Sequence, residues 1–354
     1  MQKTALFFNV RNSFGGAERR LIRAFGQLYR GDEQHEVIII ILETGTTAES
    51  EKLIIDWTSG GNKVVFLRSL KDVITYIAEN RFTWICAAAP NYTTLLLFIA
   101  AKLMGTKTMF FSVESSLSRL LFSDKKCKTR FMLCCKAATA IDVLYPQAAE
   151  IMKNRFKRKA VTLTPGAFVD YEKFAPQKKE NLIVFSARLI KGKNAELFIE
   201  SLVLIKEPLR EKGYICCICG EGSQKETLTK DVKDAGLDDI VRFTGYIDTA
   251  ELLGKAKVFC SLQAVTNYPS QSLIEALASG CVCVVTDTGE SYLMLGNDCG
   301  FLTEESAESV AGGIRSAVDL STEAFDKKSA AARSFAVSNF SLEKTLEHFK
   351  KILY

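Results

Sequence analysis

Short β-branched runs alternate with amphipathic stretches along almost the whole of this 354-residue chain, and that alternation limits the fold more than any other feature. Strands are expected at 4–10, 36–42, 63–67, 83–88, 107–113, 138–144 and 160–164, then again at 181–187, 213–219, 240–243, 256–262 and 281–286. Helical patterns lie between them. In 17–30, Leu21, Ile22, Phe25 and Leu28 recur at helical spacing, and further helices are expected near 194–208, 222–235, 248–255 and 270–279. Strands alternating with helices build βαβ units, hence parallel sheets covered on both faces. The run 281–286 (CVCVVT) is apolar throughout, as a strand buried on both sides requires.

Two such patterns are separated by 165–180 (PGAFVDYEKFAPQKKE), which carries two prolines and a cluster of charge. The expected architecture is therefore α/β, with two doubly wound, Rossmann-like domains facing a cleft. The first spans 1–170, with a terminal helix at 338–354 crossing back to it; the second spans 180–337. Ligands of such sheets bind beyond the carboxyl ends of the strands, so the loops there are where chemistry is sought.

Composition removes several alternatives. Six prolines and 22 glycines exclude collagen-like and linker-dominated chains. The apolar run 95–104 (LLLFIAAKLM) is ten residues long and interrupted by Lys102, against ~20 for a membrane span, and reads as a buried helix. Cysteines such as Cys86, Cys216, Cys217, Cys219, Cys260, Cys281 and Cys283 lie inside apolar runs, where a reduced thiol acts as a small hydrophobe. That usage, and the absence of a secretory signal, points to a cytoplasmic protein. Cys216-Cys217-Ile218-Cys219 contains a formal Cys-x-x-Cys, but it lies within a strand with no second ligand pair nearby, so core packing is expected rather than zinc.

Three loops can hold anions. Arg11 to Glu18 follows the first strand, and Gly15 and Gly16 let backbone approach a ligand just before a helix starts. Arg188, Lys191 and Lys193 surround Gly192 directly after the first strand of the second domain, as a phosphate clamp or as a solvated basic turn. In 266–280, Pro269 and Ser270 can open a helix whose first amides face a ligand, with Glu275 one turn on.

The stretches Gly15-Gly16-Ala17-Glu18, Ala187-Arg188 to Lys193, Ile218 to Gly222, and 267–280, with Thr286 to Gly289 and Gly300 to Leu302, resemble the retaining GT-B glycosyltransferases of the family-4 type (glycosyl transferases group 1). The resemblance implies a hexosyltransferase-type enzyme that needs neither cofactor nor metal. Its donor would be a nucleotide-sugar, UDP-linked in preference to GDP-linked, and its acceptor a glycan or lipid-linked glycan in surface polysaccharide or glycolipid assembly. Arg188 and Lys193 would neutralise the donor diphosphate. Glu275 would bind the ribose. The backbone near Ser270, Gln271, Ser272 and Leu273 would hold phosphate, Gly220, Phe243 and Gly245 would face the base, and Gly15 and Gly16 the phosphates.

Two positions depart from the family pattern. Asn267 stands where the first glutamate of Glu-x7-Glu is expected; it hydrogen-bonds hydroxyls but carries no charge. Glu114 stands where members carry a histidine, and is read as an acceptor-positioning acid or a plain loop acid. The two histidines, His35 and His348, lie elsewhere, His35 as a surface residue and His348 in the terminal helix. These departures keep a non-catalytic nucleotide-sugar or glycan-binding module open as the alternative, with a sugar-nucleotide epimerase third.

The net charge of +5 conceals an asymmetry. Residues 1–179 hold 27 basic and 16 acidic side chains, against 16 and 23 in 180–337. The excess gathers in Lys125, Lys126, Lys128 and Arg130, flanked by Leu117, Leu120, Leu121, Phe122, Phe131 and Met132, and in Lys153, Arg155, Lys157, Arg158 and Lys159. Residues 117–136 and 153–159 are read as a peripheral contact with anionic membrane or as a solvated basic face. Nucleic acid is set aside, because no recognition motif accompanies the charge.

Overall fold

The computed structural model describes residues 1–10, 16–43, 62–113, 125–265, 268–296 and 298–353. They form two units, Met1–Pro165 with Glu343–Tyr354, and Gly166–Leu342.

In the first unit, strands β1 (Gln2–Val10), β2 (His35–Glu43), β3 (Lys63–Leu67), β4 (Trp84–Ala87), β5 (Lys107–Ser112), β6 (Ala140–Val143) and β7 (Ala160–Leu163) make one sheet in the order β3-β2-β1-β4-β5-β6-β7. Every pairing is parallel. The crossovers include α1 (Gly16–Gln27), α2 (Leu70–Asn80), α3 (Tyr92–Leu103), α4 (Lys125–Ala137) and α5 (Pro146–Arg155). Aromatic side chains fill both faces. Phe110 meets Phe98 of α3 and Phe131 of α4 edge-on, at 6.4 and 5.5 Å between ring centres, while Phe111 faces Phe25 of α1. Phe131 is thus core, not part of an exposed apolar flank, because its ring closes the gap between α4 and β5.

The second unit repeats the scheme with β8 (Glu180–Ser186), β9 (Ile215–Cys219), β10 (Val241–Gly245), β11 (Ala256–Ser261), β12 (Val282–Thr286) and β13 (Gly300–Thr303), ordered β10-β9-β8-β11-β12-β13. Its helices are α6 (Ala195–Glu211), α7 (Lys225–Asp234), α8 (Ala250–Lys255), α9 (Gln271–Ala278), α10 (Ala307–Val318) and α11 (Thr322–Asn339). One core holds Phe185, Phe198, Leu202 and Ile218; the other holds Phe259, Leu273, Leu277 and Cys283. Ten of the eleven cysteines, all except Cys127, are described as buried free thiols. Burial pushes the Cys217 thiol up to about 11, so it packs as a hydrophobe.

Four readings from sequence are corrected. Of the segment 165–180 read as the break, residues 166–180 belong to the second unit, with Ala167, Val169 and Phe174 buried in its core. The chain leaves that unit only after Leu342, since Phe340 is buried there and its carbonyl accepts from the Val169 amide at 2.9 Å. His35 is not a surface side chain. Its ring stacks on Tyr29 at 4.5 Å and its Nδ1 lies 2.8 Å from Asp32 Oδ2, leaving 8% of the side chain exposed. Finally, α3 is helical as expected but not buried all round, because Leu96, Ile99 and Leu103 face outward.

The terminal helix α12 (Leu342–Leu353) packs on the first unit. Phe349 inserts between Phe25 and Phe111, at 5.2 and 5.5 Å, and His348 Nε2 meets buried Asp142 Oδ1 at 2.8 Å.

Candidate functional site

In the second unit, chain direction across the sheet reverses between β8 and β11. Strands β9 and β10 extend to one side, and β12 and β13 to the other. Two loops leaving neighbouring parallel strands in opposite directions open a crevice at their carboxyl ends, where ligands bind in such folds.

The loop after β8 carries Arg188 and Lys193. Leu189 and Ile190 hold its middle down: the Leu189 amide donates to Glu221 O at 2.9 Å, and Lys193 N donates to Ile190 O at 3.1 Å. Gly192 turns the chain with φ +84°. Lys193 Nζ then reaches across the reversal and donates to Gln263 Oε1, 2.7 Å away in the loop after β11. Burial lowers the Lys193 pKa from the ordinary lysine value, and the charge of Arg188 lowers it further. Arg188 is exposed and forms no side-chain hydrogen bond or ion pair with the described residues. Two cations therefore stand close together with no carboxylate bridging them among the described residues. Such an arrangement is stabilised by an arriving anion.

The neighbouring loops are tied to this one. Gly220, after β9, has φ +143°, and a Cβ there would lie 1.9 Å from Ala187 O, so only glycine lets the two loops touch. Its amide donates to Gly245 O at 2.8 Å, while the Ala187 amide donates to Cys219 O at 3.1 Å. The ends of β8, β9 and β10 are one hydrogen-bonded layer. Phe243 is half-buried against the core and Tyr246 is 82% exposed.

On the other side, Ser270 caps α9, its hydroxyl accepting from the Leu273 amide at 3.4 Å, and its own amide donates to the Met294 thioether Sδ at 3.0 Å. Leu273 itself is buried in the core with its amide occupied, so it offers nothing to a phosphate. Gln271 and Ser272 are the first two residues of the helix, where amides precede its internal hydrogen-bond ladder. The Gln271 side chain bridges Phe168 O at 3.2 Å and Glu275 Oε1 at 2.9 Å, which fixes Glu275 one turn into the helix.

Gln263 carried no signal in the sequence. It follows an apolar strand by two residues, is 6% exposed, and its backbone exchanges two hydrogen bonds with the Thr286 hydroxyl, at 2.8 and 3.0 Å. Glu290, buried at 4% in the loop after β12, was likewise missed. Of the remaining expected residues, Gly15, Glu114 and Asn267 lie outside the described residues. Gly16 opens α1 in the first unit. No group of three or more His, Cys, Asp or Glu residues suited to a metal ion occurs among the described residues.

Residues 169–334 match the family model described as glycosyl transferases group 1. The second unit thus carries a group 1 glycosyltransferase domain. The chain is 29% identical over 298 residues to a Campylobacter jejuni enzyme, GalNAc-alpha-(1->4)-GalNAc-alpha-(1->3)-diNAcBac-PP-undecaprenol alpha-1,4-N-acetyl-D-galactosaminyltransferase, covering 78% of this chain and 77% of the relative. A second C. jejuni protein, N-acetylgalactosamine-N,N'-diacetylbacillosaminyl-diphospho-undecaprenol 4-alpha-N-acetylgalactosaminyltransferase, is 24% identical over 65% of each chain. The GT-B fold is shared across the whole chain with Anabaena HepE, solved in complex with UDP, at a TM-score of 0.80 and 15% identity, covering 100% of this chain and 99% of HepE.

Proposed function

We propose that this glycosyltransferase moves a sugar from a UDP-sugar to a lipid-linked glycan, with retention and without a metal ion, in polysaccharide or glycolipid assembly. The observation that carries the reading is the Lys193–Arg188 pair, two cations with no carboxylate bridging them among the described residues, at the switch point of the second unit. There they do what a divalent ion does elsewhere, neutralising a diphosphate as it leaves. UDP is favoured because HepE was solved with UDP, and a lipid-linked acceptor because both C. jejuni relatives are named for undecaprenol-linked glycans.

In this reading the bond from the sugar's anomeric carbon to the phosphate oxygen breaks, and a bond to the acceptor hydroxyl oxygen forms on the same face. The acceptor proton passes to the leaving phosphate, so no protein base is required and Asn267 is compatible with turnover. Arg188 and Lys193 take up the charge that develops on the phosphate. The amides of Gln271 and Ser272 add hydrogen bonds, Glu275 accepts from the ribose, and the backbone of Gly220 to Gly245 borders the base. Asn267 binds sugar hydroxyls; Gly15 and Gly16 are assigned to the donor phosphates, and Glu114 to the acceptor. We place the enzyme in the cytoplasm, peripheral to an anionic membrane.

Thermal-shift titration with UDP, GDP and their sugars tests the donor. A ligand at 100 times its dissociation constant stabilises by ~2.7 kcal/mol. Stabilisation by UDP and UDP-sugars, with transfer that persists in EDTA, is expected; stabilisation by none of them would overturn the reading. Asn267 favours one other reading, a module that binds donor but does not turn it over, which donor binding without UDP release across an acceptor panel would reveal.

A further inference from the structure

Helix α3 is apolar on every side, YTTLLLFIAAKL, yet only half of it is covered. Thr94, Leu97, Phe98 and Ala101 are buried against the sheet. Tyr92, Leu96, Ile99 and Leu103 fall on the opposite side and are 60%, 51%, 46% and 86% exposed. At 100° per residue these four positions lie within a narrow band, and at 1.5 Å per residue they run ~16 Å along the axis. Met104, the C-cap of the helix, is 42% exposed. A surface helix ordinarily turns polar groups outward; this one turns outward the same residue types it buries.

Cations frame the stripe. Arg130 of α4 lies over the Tyr92 ring, 5.9 Å from its centre. At the other end Lys159 Nζ donates to Lys136 O at 2.9 Å and also to Ala138 O, so it joins the end of α4. It is close enough to Lys102 for that charge to help lower its pKa, after burial. The exposed side chains of Lys153, Arg155, Lys157 and Arg158 follow on α5 and the turn after it. Helices α3, α4 and α5 lie on one face of the sheet, because each connects a strand to its next neighbour in the same direction and such crossovers share one hand. Among the described residues of 92–159, the carboxylates are Asp142, which is buried, and Glu150.

We infer that the α3 face of the first unit docks on an anionic lipid bilayer, with Tyr92, Leu96, Ile99 and Leu103 entering the interface and the cations of α4 and α5 meeting headgroup phosphates. An exposed apolar band edged by positive charge matches a surface that is apolar inside and negative at its rim. This deepens the peripheral location proposed above by naming what inserts, and places the insertion on α3 instead of on 117–136. No helix among the described residues is long and apolar enough to cross a membrane, so the contact is with one leaflet.

The test is sedimentation of the full chain with vesicles of phosphatidylcholine, alone or mixed with phosphatidylglycerol. Binding to the mixed vesicles is expected, weakened about tenfold or more by Leu103→Glu, and by Leu96→Ser combined with Ile99→Ser. Circular dichroism and UDP binding report whether each variant is folded. A Tyr92→Trp protein needs no loss of packing, and its added fluorescence should be quenched by brominated acyl chains. Binding that disappears in high salt yet ignores both sets of substitutions would overturn the inference while leaving a purely electrostatic peripheral location standing. A dimer in solution that Leu103→Glu splits would also overturn it, assigning the stripe to a second copy. Loss of UDP binding in the wild-type protein would bear only on the donor site.

Discussion

Replacing Gly220 by alanine should damage both the stability of the second unit and its hold on the donor. The new Cβ would sit 1.9 Å from Ala187 O, where real contacts stay beyond 3.0 Å, so one of the two must move by at least 1.1 Å, the difference. Neither is free to do so. Ala187 N is held by Cys219 O and Gly220 N by Gly245 O, at 3.1 and 2.8 Å. Breaking one or both bonds costs about 1 kcal/mol each, and a non-glycine residue at positive φ adds about 1–2 kcal/mol, for a total of roughly 2–4 kcal/mol. At ~2–4 °C per kcal/mol for a unit of this size, the transition of the second unit should fall by roughly 5–15 °C. Ala187 directly precedes Arg188, so the displaced loop should also weaken UDP binding. Urea denaturation followed by circular dichroism gives the first quantity and calorimetric titration the second. A Gly220→Ala protein within ~0.5 kcal/mol of wild type and binding UDP equally well would refute the close contact between these loops.

Other consequences follow from the same geometry. The adjacent glycines of α10 should respond oppositely: a Cβ at Gly312 meets nothing within 4 Å, so Gly312→Ala should stabilise by up to ~1 kcal/mol, as chemical denaturation would show. At Gly313 it meets Thr303 Cγ2 at 2.7 Å, and the same substitution should destabilise. Phe349→Ala should cost about 3–5 kcal/mol in denaturation of the first unit, since its ring is buried between Phe25 and Phe111. Because burial and Arg188 lower the Lys193 pKa, its charge is full at low pH and is lost at a lower pH than an ordinary lysine's. UDP affinity should therefore decline as pH rises through that lowered pKa, and Lys193→Arg, whose guanidinium stays charged, should flatten the decline.

Much of the second unit was legible because its strands are continuous β-branched runs and its loops carry charge or glycine at sharp positions. Arg188, Lys193 and Gly220 were singled out this way, and the structure places them in the loops after β8 and β9. Strand β13 was not, since Gly300-Phe301-Leu302-Thr303 is too short and starts with glycine; its place comes from pairing with β12. Gln263 was invisible because its role depends on a lysine 70 positions away. Leu273 was misjudged from a helix-start pattern that says which amides are near a terminus but not which one the capping serine already occupies. On α3, uniform apolarity was read as burial, although periodicity cannot show which side a sheet covers. The segment 165–180 looked like a linker by its two prolines and charge, while Ala167, Val169 and Phe174, spaced among them, anchor it.

The claim at the centre of this account is that Arg188 and Lys193 hold a nucleoside diphosphate. Calorimetric titration of UDP and of uridine into the wild-type protein and into Lys193→Met measures it directly. UDP should bind the wild type more tightly than uridine, and the substitution should weaken UDP by about 1.5–3 kcal/mol, roughly 10- to 150-fold, while leaving uridine unchanged. Equal UDP affinity in the two proteins would contradict the claim.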